Sequence, residues 1–507
     1  MIGSITCAGL CGFGAKKVKV EVDILRGLPS FCMVGLAENS VKEARVRVQS
    51  AITNSGFEFP SSRISINLAP GDIPKDGTGF DLSIALGILE AMGVLSKPML
   101  QEIACVSELS LSGELKPIKG ILSIAECLKE QGFKKLVVAK ENYTEASLIK
   151  DIDVRIANNL FEVVNCLRNN KFNELKKGLS EDFSLDNICE MDLADVCGQE
   201  EAKRALLIAA AGNHNLLFVG GPGSGKSMMA HRLPSIMPPL EYEESLIVTK
   251  IHSIAGLTMR GGLIRRRPFR SPHHSTTKAG LVGGGSSFIK PGEISLACNG
   301  VLFLDELLEF PRSVLEVLRQ PLESGEITLS RALHNITFPA NFSLVAALNP
   351  CPCGNFGQPK KNCKCSQIAV SRYQGKLSGP LLDRIDLHVD VPSLDLGLMT
   401  KDNKSESSSS LQNRVIKARQ KQYQRLGNNK TNGKMHRKQI KDLSLMDKNA
   451  ENFLLNAAQK LDLSARSFDR IIKVARSIAD LEDSKNIEIP HVKEALHYRG
   501  SCMSKNK

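Results

Sequence analysis

The sequence of 507 residues predicts an α/β fold: two successive α/β units followed by a helical C-terminal region. Three observations lead there. Strand-like and helix-like segments alternate through residues 1–165, a second alternation starts around a glycine-rich loop behind an apolar strand, and residues 439–507 show helical periodicity alone. The chain is too long for one core, so two or three domains are expected.

In the first unit "KVKVEVDI", "RISINLAP", "EIACVSELS" and "KLVVAK" have strand patterning. The segments "SVKEARVRVQSAITNSG", "FDLSIALGILEAMG" and "GILSIAECLKEQG" carry the helical period and stop at glycines. Residues 166–191 are polar and read as a linker, and 192–392 read as the second α/β unit. The charged, Ser/Asn-rich and partly helical stretch 393–438 reads as a mobile connector, and 439–507 as a helical lid.

Apolar content of 42% and charged content of 24% are ordinary for a globular chain. A net charge of +12 favours an acidic partner, nucleic acid first and a membrane surface second. No apolar run is long enough to span a bilayer, and the N-terminus lacks a basic start followed by an apolar block. A cytoplasmic protein without a membrane partner is therefore expected. Ten of the fourteen cysteines are scattered, mostly among apolar neighbours, and read as free thiols.

The strongest chemical signal is "NLLFVGGPGSGKSMMAHRL". Gly220, Gly221, Pro222, Gly223, Ser224 and Gly225 form a loop between an apolar strand and a helix-compatible run, the context a phosphate-binding loop requires. Its N–H groups would cradle the phosphates of ATP, Lys226 would reach the β/γ-phosphates, and Ser227 would bind Mg²⁺. In "GVLFLDELLEF" an apolar strand ends in Asp305 and Glu306: one carboxylate for Mg²⁺, one to polarise the attacking water. "FSLVAALN" delivers Asn349 from another strand, while Arg384 and Arg466 lie in "LSGPLLDRIDL" and "LSARSFDRIIK".

These spacings resemble the AAA+ ATPases over roughly residues 192–500. The resemblance implies that Asn349 is the sensor-1 residue, Arg384 a trans-acting arginine finger, and Arg466 the sensor-2 arginine, with Arg470 competing for that role. It also implies a homo-hexameric ring. The stretch "RRRPFRSPHHSTTKAGLVGGGSSFIKPGEISLACNG" and the hairpin-like "ESGEITLSRALHNITFPANFSLVAALN" resemble the helix-2 insert and pre-sensor-1 hairpin of the clade that holds magnesium chelatases, MCM helicases and MoxR-type chaperones. Lys278, Lys290 and Arg331 are the candidate DNA contacts, with solvated loop charge as the plainer alternative. The triplet Arg265–Arg267 could also touch DNA, whereas His273 and His274 read as hydrogen-bonded loop structure.

Cys351, Cys353, Cys363 and Cys365 cluster in the loop 349–366. Four thiolates from one loop suit a closed, structural Zn²⁺ site, and a vicinal redox pair is the rival reading. The single residue between the cysteines of each pair departs from the commoner spacing of two.

"LAPGDIPKDGTGFDLSIALGILEAMG" and "LSGELKPIKGILSIAECLKEQGFKKLVVAKEN" resemble the Lon protease domain. The family's catalytic serine and lysine positions fall on Gly79 and Leu122, which implies a degenerate domain without peptidase chemistry. Such a domain ahead of a magnesium-chelatase-like AAA+ module with a C-terminal helical lid resembles the ComM/YifB family. "GLPSFCMVGLAENSVKEARVRVQSAI", "FRSPHHSTTKAGLVGGG", "NPCPCG" and "SGPLLDRIDLHV" carry that likeness. It implies a DNA translocase that promotes branch migration while incoming strands are recombined during natural transformation. Single-stranded and branched double-stranded DNA would be its ligands, with recombination proteins as further partners. A magnesium-chelatase-type or MoxR-like remodeller and an ATP-dependent unfoldase are the competing readings.

Overall fold

The structure, a computed structural model, describes residues 2–35, 39–72, 75, 77–172, 191–258, 262–285, 289–330, 335–357, 362–393, 406–427 and 429–499. In the first unit, β1 (Ile2–Cys11) and β2 (Gly14–Leu25) form a hairpin. Strand β3 (Ser30–Val34) lies parallel to β4 (Arg63–Ala69), which pairs antiparallel with β2. The alternation of "KVKVEVDI" puts Val18, Val20 and Val22 into the core. Helices α1 (Ala44–Asn54) and α2 (Asp81–Ala91) pack near this sheet, and α2 is buried on all sides. A second, parallel sheet comprises β5 (Ile103–Cys105), β6 (Lys135–Val138) and β7 (Asp153–Ile156), flanked by α3 (Ile121–Glu130) and α4 (Leu160–Asn169). Strand β1 escapes the pattern reading because its Gly, Ala and Cys side chains blur the alternation.

The unit also runs past residue 165. Helix α4 continues to Asn169, and Cys166, Leu167 and Phe172 join the core; residues 173–190 of the expected linker lie outside the described residues. Leu122 is fully buried, and a Cβ at Gly79 would sit 3.3 Å from Ile118. Nearby Ser83 is buried and donates to the Cys105 carbonyl at 2.5 Å.

The second unit opens with α5 (Glu200–Gly212) and β8 (Leu216–Val219), followed by α6 (Lys226–Ile236) and α7 (Tyr242–Ala255). Then come β9 (Phe269–Arg270), the short helix α8 (Lys278–Val282) and β10 (Val301–Leu304). A hairpin of β11 (Glu326–Ser330) and β12 (Asn335–Pro339) precedes β13 (Ser343–Leu348) and β14 (Leu387–Asp390). The sheet is parallel throughout, in the order β9-β10-β13-β8-β14. Its central strands are continuous apolar runs, as a sheet covered on both faces demands.

The helical part of the expected connector packs on the ATPase core. Within it, α9 (Ser408–Leu426) is a regular helix, capped by the Ser407 hydroxyl, with Leu411, Val415, Ala418 and Gln422 buried. Those residues repeat at helical spacing, but the surrounding lysines, arginines and glutamines give the segment a polar average that hides the stripe. Arg419 and Gln422 donate to Ala210 O and Ala211 O, satisfying carbonyls at the end of α5. After a short helix at Arg437–Leu443, the lid continues through α10 (Lys448–Lys460), α11 (Ala465–Leu481) and α12 (Ile489–His497).

Helix α7 joins the two units. Tyr242 donates to Leu148 O at 3.0 Å, Lys250 pairs with Glu126, and Phe13 packs beside Ile251, Leu296 and Cys298. Ser253 and Thr258 both donate to the buried Glu145, which also faces the Leu122 N–H at 3.3 Å. The region where the resemblance would place a protease lysine is therefore in contact with the other unit.

Candidate nucleotide site

Strands β8, β10 and β13 deliver the phosphate loop, Asp305-Glu306 and Asn349 to the same, carboxyl edge of the sheet. In open parallel sheets this edge is where ligands bind. The loop itself depends on glycine. Gly223 and Gly225 have φ of +77° and +89°, and a Cβ on Gly220 would lie 2.3 Å from the Val391 carbonyl oxygen.

Lys226 is 8% exposed and donates to Gly220 O and Gly221 O at 2.8 Å and to Asn349 Oδ1 at 3.3 Å. Burial pushes its pKa down, with Asp305 and Glu306 opposing. Ser227 Oγ donates to Asp305 Oδ2 at 2.7 Å. Lysine, serine, aspartate and asparagine thus converge as the spacing anticipated. The donor set fits Mg-ATP: one ammonium for phosphate charge, and a hydroxyl and a carboxylate side by side for a hard cation.

Glu306 sits in the left-handed region (φ +49°) and is mostly exposed. His274 Nδ1 lies 3.6 Å from its Oε2, an ion-pair distance. The His274 ring stacks on His273 with centroids 4.0 Å apart. His273 is hydrogen-bonded loop structure, as expected, with Nδ1 2.8 Å from Ser275 Oγ; nothing in the spacing signals the His274 partner thirty-two residues away. Gln199 was also missed, and it bridges Ser224 O and Pro392 O beside the loop.

The arginines stand elsewhere. Arg384 and Asp386 precede β14, next to Asn215 ahead of β8, at the amino edge of the sheet. The strands separate them from the phosphate loop by about 13 Å at ~3.3 Å per residue. Arg384 pairs with Glu323 and donates to Pro380 O at 2.7 Å. The hydrogen-bonded Arg384 pulls the Glu323 carboxyl below its ordinary range, with Arg466 and Arg470 adding to the effect. Arg466 is exposed in the first turn of α11, whereas Arg470 is engaged by Asp386. Neither Arg384 nor Arg466 is gathered into the phosphate-loop constellation of its own chain.

Burial alone would raise the Asp386 carboxyl, but the Arg470 charge, His214 and the Asn215 N–H outweigh it and hold the group below its usual range. A carboxyl with a depressed folded-state pKa contributes stability above its unfolded value of about 3.9 and loses it as the pH falls below that. Asp386→Asn is expected to lower stability at pH 7 by about 3 kcal/mol, because Arg470 loses its buried partner. In denaturant melts the gap between the two proteins should stay constant from pH 7 to about 4 and narrow towards pH 3; a gap that stays constant to pH 3 would refute the assignment.

Of the candidate DNA contacts, Lys278 begins α8 and Lys290 lies in a short strand paired with Gly283–Gly284; both are exposed. Arg331 lies outside the described residues. Lys278 borders a cavity of about 600 Å³ between α8 and the β11–β12 hairpin. Arg267 is not available to DNA: it is buried, paired with Glu244 at 2.8 Å and bonded to Asn299 O at 2.7 Å.

The four cysteines are brought together. Cys351, Cys353 and Cys363 have Sγ···Sγ distances of 3.4, 3.6 and 3.7 Å, and all four Sγ atoms lie within 4.8 Å of one another. Zn–S bonds of ~2.3 Å in a tetrahedron give edges of about 3.8 Å. Backbone N–H groups of Asn355 and Lys364 pull the Cys353 thiol down to about 6. The loop abuts the nucleotide site, since a Cβ on Gly354 would fall 2.4 Å from Pro222 Cδ.

Comparison with known proteins gives matches along the whole chain. The family described as "Magnesium chelatase, subunit ChlI" matches residues 192–398, "Subunit ChlI of Mg-chelatase" 20–142, and "Magnesium chelatase, subunit ChlI C-terminal" 405–499. Competence protein ComM of Haemophilus influenzae is 45% identical over 96% of this chain and 95% of its own length. The uncharacterized protein YifB of Escherichia coli is 44% identical over 96% and 95%. A Lon protease of Mesomycoplasma hyopneumoniae is 29% identical over 28% of this chain and 17% of its own.

Proposed function

The chain belongs to the ComM/YifB family of magnesium-chelatase-like AAA+ proteins with a degenerate Lon-like N-terminal domain, and from that premise we propose that it is an ATP-driven DNA motor. It works as a homo-hexameric, cytoplasmic ring that promotes branch migration while incoming DNA is recombined during natural transformation. The observation that carries this reading is the likeness to a competence protein over 96% of the chain, joined to the convergence of Lys226, Ser227, Asp305 and Asn349. The net charge of +12 and the exposed Lys278 and Lys290 supply the electrostatic grip on phosphate.

In the reaction Lys226 holds the β/γ-phosphates, and Glu306 draws a proton from the attacking water while Asn349 orients it. Ser227 and Asp305 would hold magnesium, which when bound offsets phosphate charge. His274 steers the Glu306 carboxylate, and its loop runs directly into α8, so a strand held at Lys278 bears on the base. Arg384 and Arg466 serve the neighbouring subunit's nucleotide, because their own lies across the sheet. The cysteine loop holds structural zinc. Recombination proteins are partners, and peptide hydrolysis is absent because Gly79 and Leu122 carry no reacting group.

ATP hydrolysis measured alone and with single-stranded, forked or three-stranded DNA tests the reading. Strong stimulation that fades with added salt is expected. Intact basal turnover with no response to any DNA would favour the second reading, a magnesium-chelatase-type or MoxR-like remodeller, which the three family matches make specific. The arginine assignment has its own test. Arg384→Ala and Lys226→Ala should each be inactive, the former by about 10³-fold or more. Mixed together they should regain turnover, since one supplies the loop and the other the arginine; no recovery in mixed rings would rule out action in trans.

A further inference from the structure

Away from the nucleotide site, a cavity of about 170 Å³ lies between the ATPase core and the lid. Arg267, Arg419, Lys430 and Lys434 face it, against a single carboxylate, Glu244. The Arg267–Glu244 pair cancels itself at 2.8 Å. Arg419 is 3% exposed and spends Nε and Nη2 on the Ala210 carbonyl, a neutral group that leaves its charge in place. Among the described residues, the Lys434 ammonium has no hydrogen-bond or ion-pair partner, and the hydroxyl of Thr431, 5% exposed, has none either.

Uncompensated cations in a low-dielectric wall are costly, and a protein keeps them where an anion completes the set. Burial pushes the Arg419 guanidinium down to about 10, with neighbouring Arg267 adding to the shift, and lowers Lys434 as well. Burial is the main cause of both shifts; Asp386 partly opposes that of Lys434, and Tyr423 and Glu244 that of Arg419. The volume equals that of about five or six waters, which admits a phosphate or diphosphate and excludes a nucleoside triphosphate. Asn341 Oδ1, also unpartnered on the wall, can accept from a protonated phosphate oxygen.

We propose that this cavity is a binding site for a small phosphate-class oxyanion, held by Lys434, Arg419 and the Thr431 hydroxyl. Arg267 and Asn341 belong to the core, whereas Arg419, Thr431 and Lys434 belong to the lid, so the bound anion fastens one to the other. The site is independent of the DNA reading and stands or falls without it.

Thermal unfolding of the full chain carrying Lys226→Ala, which disables phosphate capture at the nucleotide loop, tests the site. Inorganic phosphate and diphosphate are titrated against chloride at matched ionic strength. A saturable Tm rise of roughly 2–6 °C is expected for phosphate or diphosphate only. Adding Lys434→Met should abolish the rise and, in chloride, leave the protein about as stable, because the half-buried ammonium has no hydrogen-bond or ion-pair partner to lose. Thr431→Val should weaken the response several-fold. Equal shifts in all three salts, or a phosphate shift that survives Lys434→Met and Thr431→Val, would overturn the proposal.

Discussion

Glu306→Gln is expected to bind ATP as tightly as the native protein and to hydrolyse it about 10²–10⁴-fold more slowly, the range for losing a positioned general base. The reason is local: Glu306 is mostly exposed at the carboxyl edge, with a left-handed backbone and His274 beside its carboxylate. Lys226→Ala should behave differently and lose ATP binding itself, since the ammonium is anchored between Gly220 O, Gly221 O and Asn349. Fluorescent-nucleotide titration separates the two, and single-turnover hydrolysis measures the first. A Glu306→Gln protein with near-native turnover would remove this residue from the chemistry. His274→Ala should fall between, lowering kcat with little change in KM, because it disturbs only where the carboxylate points.

Replacing Cys351 and Cys363 together by serine should have the second-largest effect, through position and not chemistry. Purified native protein is expected to carry one zinc per chain, and the double variant none, since two thiolates cannot close a tetrahedral site. Loss of the ion frees the loop that rests Gly354 against Pro222 and begins next to Asn349. Displacing phosphate-binding groups by about 1 Å can cost roughly 10²-fold in rate, so ATP affinity and turnover should both drop, with a lower Tm. Metal analysis, melting curves and nucleotide titration on the same preparations decide it. A zinc-free native protein whose variant melts and binds ATP unchanged would end the clip reading.

How much of this was legible beforehand differs from residue to residue. The phosphate loop, Asp305-Glu306 and Asn349 could be read because each motif encodes its own backbone: glycines for the loop, then apolar runs that can only be buried strands. Parallel strands of one sheet bring such ends together whatever the connections do. The first unit's amphipathic helices were legible for the same reason, while β1 was not, its small residues giving period two little contrast. The packing of helix α9 was not legible because composition averages over faces, and Leu411, Val415 and Ala418 matter only once α5, α6 and α11 exist to cover them.

The sequence by itself therefore determined the two α/β units, the nucleotide constellation and the gathering of four cysteines in one loop. Only the tertiary structure decided that Arg384 lies at the opposite edge of the sheet from the phosphate loop, that His274 meets Glu306, and that Glu145 is shared between units. It also decided that cationic side chains from core and lid line one cavity. Local backbone preference and hydrophobic period are written in neighbouring residues, but such pairings join segments tens to hundreds of residues apart. Their geometry follows from how the sheet edges, helices and inserts pack, not from any spacing along the chain.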